Sequence, residues 1–226
     1  MSGDPHARGR LLSGGAPLSR ARLAMIMLHG RGGAPEDMLA LAEHLGLPDI
    51  AVLAPQAAGN SWWPDSFLAP LANNEPGLTS ALGVVENIAE HLAQNGFGPD
   101  RTAVLGFSQG ACLALEYAAR AGTPLACVAG LSGGLLGTGD GSGEPKPALY
   151  GHVDKAFEYV GRLDGTPVLL GCHERDPHIP LARVRTTEMV FADLGATVTT
   201  QIYPGAGHGI VEEEIRALRS ILNRSD

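Results

Sequence analysis

Leu105-Gly106-Phe107-Ser108-Gln109-Gly110 sits between a short β-prone run, 101–105, and a run of good helix formers, 111–120. Strand, sharp turn and helix in that order form the context in which a Gly-x-Ser-x-Gly pattern presents a serine at the end of a sheet. Gly106 and Gly110 leave room for a cramped turn, and the helix N-terminus lies directly behind Ser108. In a chain with 31 glycines such a five-residue match also arises by chance. The competing reading makes Ser108 an ordinary helix cap, so the surroundings have to decide.

Outward from that turn, short apolar runs alternate with amphipathic ones. This is the pattern of a mostly parallel sheet covered by helices on both faces. Strands are predicted at 23–28, 50–54, 101–105, 125–131, 166–172 and 197–203, and helices at 35–45, 78–94, 111–120, 181–194 and 210–222. The helix at 78–94 places Leu82, Val85, Ile88, Ala89 and Leu92 at helical spacing and ends at Asn95-Gly96, a left-handed cap signal. Residues 60–68 have neither period. Residues 132–165 read as an irregular excursion with a polar glycine tract at 137–147 that looks mobile and a short helix at 156–163. Neither an internal repeat nor a composition shift marks a second domain, so 1–226 reads as one domain with a flexible start over about residues 1–10.

The formal charge of −8 and the absence of a dense Lys/Arg cluster argue against a nucleic-acid partner. Glycine and proline, 31 and 16 residues, make up roughly a fifth of the chain against about 12% on average, which implies tight or long loops. The three cysteines, Cys112, Cys127 and Cys172, each lie in an apolar run without metal or Cys-x-x-Cys spacing. They read as buried reduced thiols and point to the cytoplasm. The first residues lack the apolar core of an export signal, and no apolar run reaches the ~20 residues of a membrane helix, so stable membrane insertion is not expected.

An acyl-transfer serine needs a base to take its proton and an acid to hold that base in the right tautomer. In α/β-hydrolases these follow in the order Ser, acid, His. Here Ser108 is followed by Asp176 and then His208, each just past the C-terminal end of a predicted strand, where open α/β sheets build their sites. Glu174 is the alternative acid; Asp176 is favoured because Pro177 and Pro180 stiffen its turn. His208 lies in the glycine-rich loop 204–209, with a solvated loop histidine as the bland reading. After the first predicted strand, His29-Gly30-Arg31-Gly32-Gly33 can present backbone amides to a developing oxyanion. The two donors are assigned to Arg31 and Gln109, and His29 is read as fixing the loop. A phosphate loop is disfavoured, since no Gly-Lys-Ser/Thr follows. His173, Glu174, Asp176 and His178 crowd into six residues without a metal-site pattern, so no metal is assigned. Trp62, Trp63, Phe67 and Leu68, with Ile179, are assigned to the wall of an acyl pocket, with core packing as the alternative.

Together these motifs resemble the phospholipase/carboxylesterase family of small α/β-hydrolases over nearly the whole chain, from about Leu23 to Leu222. The resemblance rests on Leu28-His-Gly30, Ala54-Pro-Gln56, Ser61-Trp-Trp63, Gly106-Phe-Ser-Gln-Gly110, Asp176-Pro-His-Ile-Pro180 and Tyr203-Pro-Gly-Ala-Gly-His208. It implies an α/β-hydrolase fold with little or no cap. It also implies Ser108 as nucleophile, Asp176 as acid, His208 as base and the Arg31 and Gln109 amides as oxyanion donors. The implied activity is carboxylic ester hydrolysis without a cofactor on a small-molecule ester, with a lysophospholipase or acyl thioesterase as the variant for longer chains. A lyase or haloperoxidase needing no cofactor, or a non-catalytic binder, are the readings from other classes. Homodimerisation is left open. Arg31-Gly32-Gly33 departs from the family's apolar-Gly-Asp after His-Gly, which would set an arginine near the site mouth, and the 132–165 excursion is longer and richer in glycine than the family pattern.

Overall fold

The computed structural model describes residues 4–139 and 143–223. Its seven-stranded sheet comprises β1 (Leu11–Gly15), β2 (Leu23–Leu28), β3 (Ile50–Pro55), β4 (Thr102–Phe107), β5 (Cys127–Leu131), β6 (Pro167–Arg175) and β7 (Thr197–Ala206). The spatial order is β1-β3-β2-β4-β5-β6-β7, parallel throughout except for β1, which runs antiparallel to β3. The helices are α1 (Pro35–Leu45), α2 (Gly77–Gln94), α3 (Gln109–Ala121), α4 (Leu181–Asp193) and α5 (Glu212–Leu222). Among the described residues, no helix is long and apolar enough to cross a membrane.

The two faces of the sheet carry separate apolar cores, and β2 shows why. Successive side chains of a strand point to opposite faces. Ala24, Ile26 and Leu28 enter the core shared with α2, α3 and α4, while Leu23, Met25 and Met27 enter the one shared with α1 and α5. Being covered on both faces, such a strand is apolar at every position, as a parallel sheet requires.

Three sequence expectations are corrected. β1 lies outside the predicted strands, because Leu-Leu-Ser-Gly-Gly has no period and the strand exists only through its pairing with β3. Residues 156–163 form no helix. Phe157 and Tyr159 pack inward while Glu158 and Val160 face solvent, a period of two in place of a helical one. The first residues, expected to be flexible, are docked from Asp4 on, with His6 only 4% exposed. Among the described residues of the 132–165 excursion, a short 3-10 turn at Pro147–Leu149 and a single bridge between Lys146 and His152 are the regular features. Part of the glycine tract expected to be mobile, 140–142, lies outside the described residues.

The elbow after β4 is held by two close backbone crossings. Ser108 adopts φ 54 and ψ −119, a conformation costing about 1–3 kcal/mol that only an over-determined surrounding maintains. A Cβ on Gly106 would lie 2.0 Å from the Gly110 carbonyl oxygen, and one on Gly110 would lie 2.1 Å from that of Leu28. Both obstacles are backbone and cannot swing away. Gly110→Ala should therefore destabilise the protein by about 3 kcal/mol, read as a lowered urea midpoint with unchanged slope.

Glu214 in the first turn of α5 is buried, accepts the Val211 amide through Oε2 at 2.8 Å, and has no partner at Oε1 among the described residues. Burial pushes its carboxyl up to about 7. The native state then holds this proton more tightly than the unfolded chain does. The associated stability is complete below the ordinary carboxylate range and is lost as pH rises through about 7. Urea unfolding at pH 5 and pH 8 should show a fall on the order of 3 kcal/mol from this group, and Glu214→Gln should flatten that fall.

Candidate active site

The ends of β4, β6 and β7 bring three side chains together. Ser108 Oγ lies 2.9 Å from His208 Nε2, and His208 Nδ1 lies 2.8 Å from Asp176 Oδ2. Asp176 is 1% exposed, and its other oxygen, Oδ1, accepts the amides of His178 at 2.8 Å and Ile179 at 3.1 Å. Burial alone would raise its pKa, but the hydrogen bond from His208 and those two amides outweigh it and hold the carboxyl below its ordinary value. An anionic acceptor at Nδ1 places the imidazole proton there and leaves Nε2 to accept from the serine. This arrangement can draw a proton from a hydroxyl and stabilise the imidazolium that results.

Glu174, the alternative acid, is exposed and accepts instead from the Gly205 amide at 3.5 Å. The crowded 173–178 segment does not converge on a cation site: His173 packs its ring against Tyr203 and Asp176 is committed to His208. Among the described residues, no group of three His, Cys, Asp or Glu side chains is placed to hold a metal ion.

On the other side of the serine runs the loop after β2. Gly30 passes so close to the elbow that a Cβ on it would lie 3.2 Å from Ser108 Cβ, so glycine lets this backbone approach Ser108. The Gly32 and Gly33 amides are already bonded, to Asn60 and Gly30. The Arg31 amide and the Gln109 amide, the first of α3, have no acceptor among the described residues, and both residues border the cleft over Ser108. Gln109 adds the positive end of a helix dipole. His29 is fully buried; the Ala57 amide donates to its Nε2 at 3.1 Å, so its Nδ1 proton goes to the Gly30 carbonyl at 2.7 Å. Burial lowers its pKa, and the ring acts as an uncharged strut for the loop.

The cleft has a volume of about 630 Å³. Of the residues assigned from sequence to its wall, Trp63, Phe67 and Ile179 line it, whereas Trp62 and Leu68 do not. Trp62 is 0% exposed and donates its indole N–H to the His29 carbonyl at 2.9 Å, and Leu68 is 1% exposed in the core. For these two the packing alternative holds. Adjacent residues in this loop point in opposite directions, and no local pattern distinguishes them.

Several contributors have no separable sequence signal. The Gln109 side chain accepts from the Trp62 amide at 2.9 Å and donates to the Trp63 carbonyl at 2.9 Å, stapling the Trp-containing loop to the elbow. Arg31 stands at the mouth, in line with its departure from the family pattern, but its guanidinium donates to the Pro64 and Asp65 carbonyls at 2.8 and 2.7 Å and so braces the cleft wall. His178 borders the cleft with its ring edge-on to His208 at 4.8 Å. Cys112 also reaches the cleft, but burial pushes its thiol up to about 12, which disfavours the thiolate a nucleophile needs at neutral pH. Tyr150, out of the excursion, donates its hydroxyl to the Asp176 carbonyl.

A parallel sheet sandwiched by helices, with a serine at a sharp strand-to-helix turn and an acid and a histidine after later strands, defines the α/β-hydrolase class. Within that class, the chain belongs to the phospholipase/carboxylesterase family, whose model matches residues 16–225. A solved phospholipase/carboxylesterase from Dyadobacter fermentans is 34% identical and superposes with a TM-score of 0.85, covering 96% of this chain and 97% of that one. Acyl-protein thioesterase 1 of Gibberella zeae is 28% identical over 152 residues, 66% of this chain and 58% of the relative's own length, so the match spans less than two thirds of that protein. Lysophospholipase-like protein 1 of Mus musculus is 24% identical over 228 residues, 92% of this chain and 90% of that one.

Proposed function

We propose that this protein is a serine hydrolase that cleaves carboxylic esters through an acyl-enzyme on Ser108. The observation that carries the reading is the continuous relay from Ser108 Oγ through His208 to buried Asp176, with links of 2.9 and 2.8 Å. Family membership supports an esterase-type enzyme.

In the proposed cycle, His208 Nε2 takes the serine proton as Oγ attacks the ester carbonyl. The oxyanion that forms is met by the Arg31 and Gln109 amides, donors fixed before the charge develops. His208 then returns its proton to the departing alkoxide, an alcohol leaves, and the same imidazole activates a water that releases the acid. Asp176 stays ionised throughout, consistent with its lowered pKa.

The cleft size suits a substrate of modest dimensions, and its lining mixes Trp63, Phe67 and Ile179 with Asp65, Ser66 and His178. This favours short-chain esters over lipids, the longer-chain readings coming from what relatives are named for. Buried, unpaired Cys112, Cys127 and Cys172 suit a reducing compartment such as the cytoplasm.

A p-nitrophenyl ester series from acetyl to palmitoyl tests this. Specificity (kcat/KM) should be greatest for the short acyl groups, and a fluorophosphonate probe should label Ser108. Highest kcat/KM on the palmitoyl ester would shift the assignment to a long-chain hydrolase, and no labelling of Ser108 would favour a binding protein.

A further inference from the structure

We infer that the segment 4–10, with His6 as its key residue, is a positioning brace for the oxyanion loop 29–33. The inference rests on the hydrolase reading and adds a part to it. The oxyanion loop has no ladder of its own. It is held by the stretch 56–62: Gly32 donates to the Asn60 carbonyl at 2.7 Å, the Ala57 amide donates to His29, and the Trp62 indole donates to the His29 carbonyl. That stretch has no regular structure beyond a short 3-10 turn at Ala58–Asn60; the Gln109 side chain holds it at Trp62, and segment 4–10 pins it from the other side.

Five contacts from segment 4–10 do so. The Gln56 amide donates to the Arg10 carbonyl at 2.8 Å. The Ala58 amide donates to His6 Nδ1 at 3.0 Å, which leaves the ring proton on Nε2 to be donated to the Trp62 carbonyl at 2.9 Å. Gly9 lies flush on the Gln56 carbonyl, where a Cβ would come within 2.4 Å. The His6 ring also meets Trp62 edge-on at 5.4 Å, and Trp62 meets His29 at 5.1 Å. His6 thus clamps both ends of the turn that supports the oxyanion loop, with Trp62 relaying the contact.

The segment is itself anchored at both ends. The His6 amide donates to Ser80 Oγ at 3.0 Å on α2, the Ser80 hydroxyl donates to Asp4, and Arg10 pairs with Glu36 on α1 at 3.0 Å. None of its residues borders the cleft. A role through the oxyanion loop affects charge developing in the transition state more than binding of the neutral ester, so it acts on kcat.

The test compares His6→Ala, His6→Gln and Ser80→Ala with the wild type on p-nitrophenyl acetate, with active sites counted by fluorophosphonate titration. In His6→Ala, kcat per titrated site should fall about 10- to 100-fold, as a slightly displaced donor loop implies, with KM changed by less than about twofold. An aryl boronic acid, which mimics the tetrahedral state, should bind more weakly by the same factor. His6→Gln, which keeps a donor for Trp62, should recover much of the rate, and Ser80→Ala should lose part of it. Wild-type kcat per titrated site in His6→Ala overturns the brace even if its melting temperature falls; if His6→Ala does not fold, the same result in Ser80→Ala overturns it. Failure of the wild type to label at Ser108 removes the hydrolase reading and the brace together. Labelled wild type with unaffected variants removes the brace alone.

Discussion

Replacing Ser108 by alanine should lower kcat for a p-nitrophenyl ester by about 10⁴-fold or more while leaving the fold intact. Among the described residues that line the cleft, this hydroxyl is the one with a base in reach, His208 Nε2 lying 2.9 Å from it, while burial pushes the Cys112 thiol up to about 12. Alanine at this position meets the same backbone, with φ 54 set by Gly106 and Gly110 and not by the serine side chain. The variant loses one hydrogen bond of a part-buried pair, on the order of 1 kcal/mol. Steady-state kinetics with a urea unfolding curve separates the two effects. Turnover within tenfold of wild type would sink the nucleophile assignment.

Asp176→Asn should cost about 10⁴-fold in kcat for a reason legible in this site. Two backbone amides, from His178 and Ile179, donate to Asp176 Oδ1, so an asparagine must turn its carbonyl oxygen toward them. Its NH₂ group then occupies the place of Oδ2 and donates to His208 Nδ1. The imidazole proton is driven to Nε2, which faces Ser108 as a donor and accepts nothing. Glu174→Gln is the control: that side chain is exposed and bonded to the Gly205 amide, so turnover should stay near wild type. Equal losses in both variants would overturn the assignment of the acid.

These effects fall on residues that are legible in the amino-acid sequence, whereas other parts of the site are not. Ser108 and Asp176 each follow an apolar strand pattern and His208 an alternating one, and the rule that open α/β sheets place their sites beyond strand C-termini makes strand ends informative. Arg31 and Gln109 are legible for the same reason, since a backbone amide needs only its place in the chain. Trp62 and Trp63 are adjacent and identical in type, yet one supports His29 from the core and the other lines the cleft. The backbone of both is held by the Gln109 side chain, 47 residues from Trp62 and 46 from Trp63.

Segment 4–10 illustrates the same limit. Its composition is polar and short of apolar anchors, and local reading makes it a loose end. It is ordered by partners on α1, on α2 and in the stretch after β3. β1 and the extended 154–160 run are of the same kind, since each takes its form from what it packs against.

The alternation of strands and helices, the elbow and the order Ser108, Asp176, His208 can be read along the chain, because they depend on periodicity and turn chemistry within a few residues. Which loop side chains face the cleft, what holds the loop 29–33 and what becomes of the 132–165 excursion are settled only in the folded chain. Those outcomes depend on hydrogen bonds and contacts between segments far apart in the chain, for which local pattern holds no record.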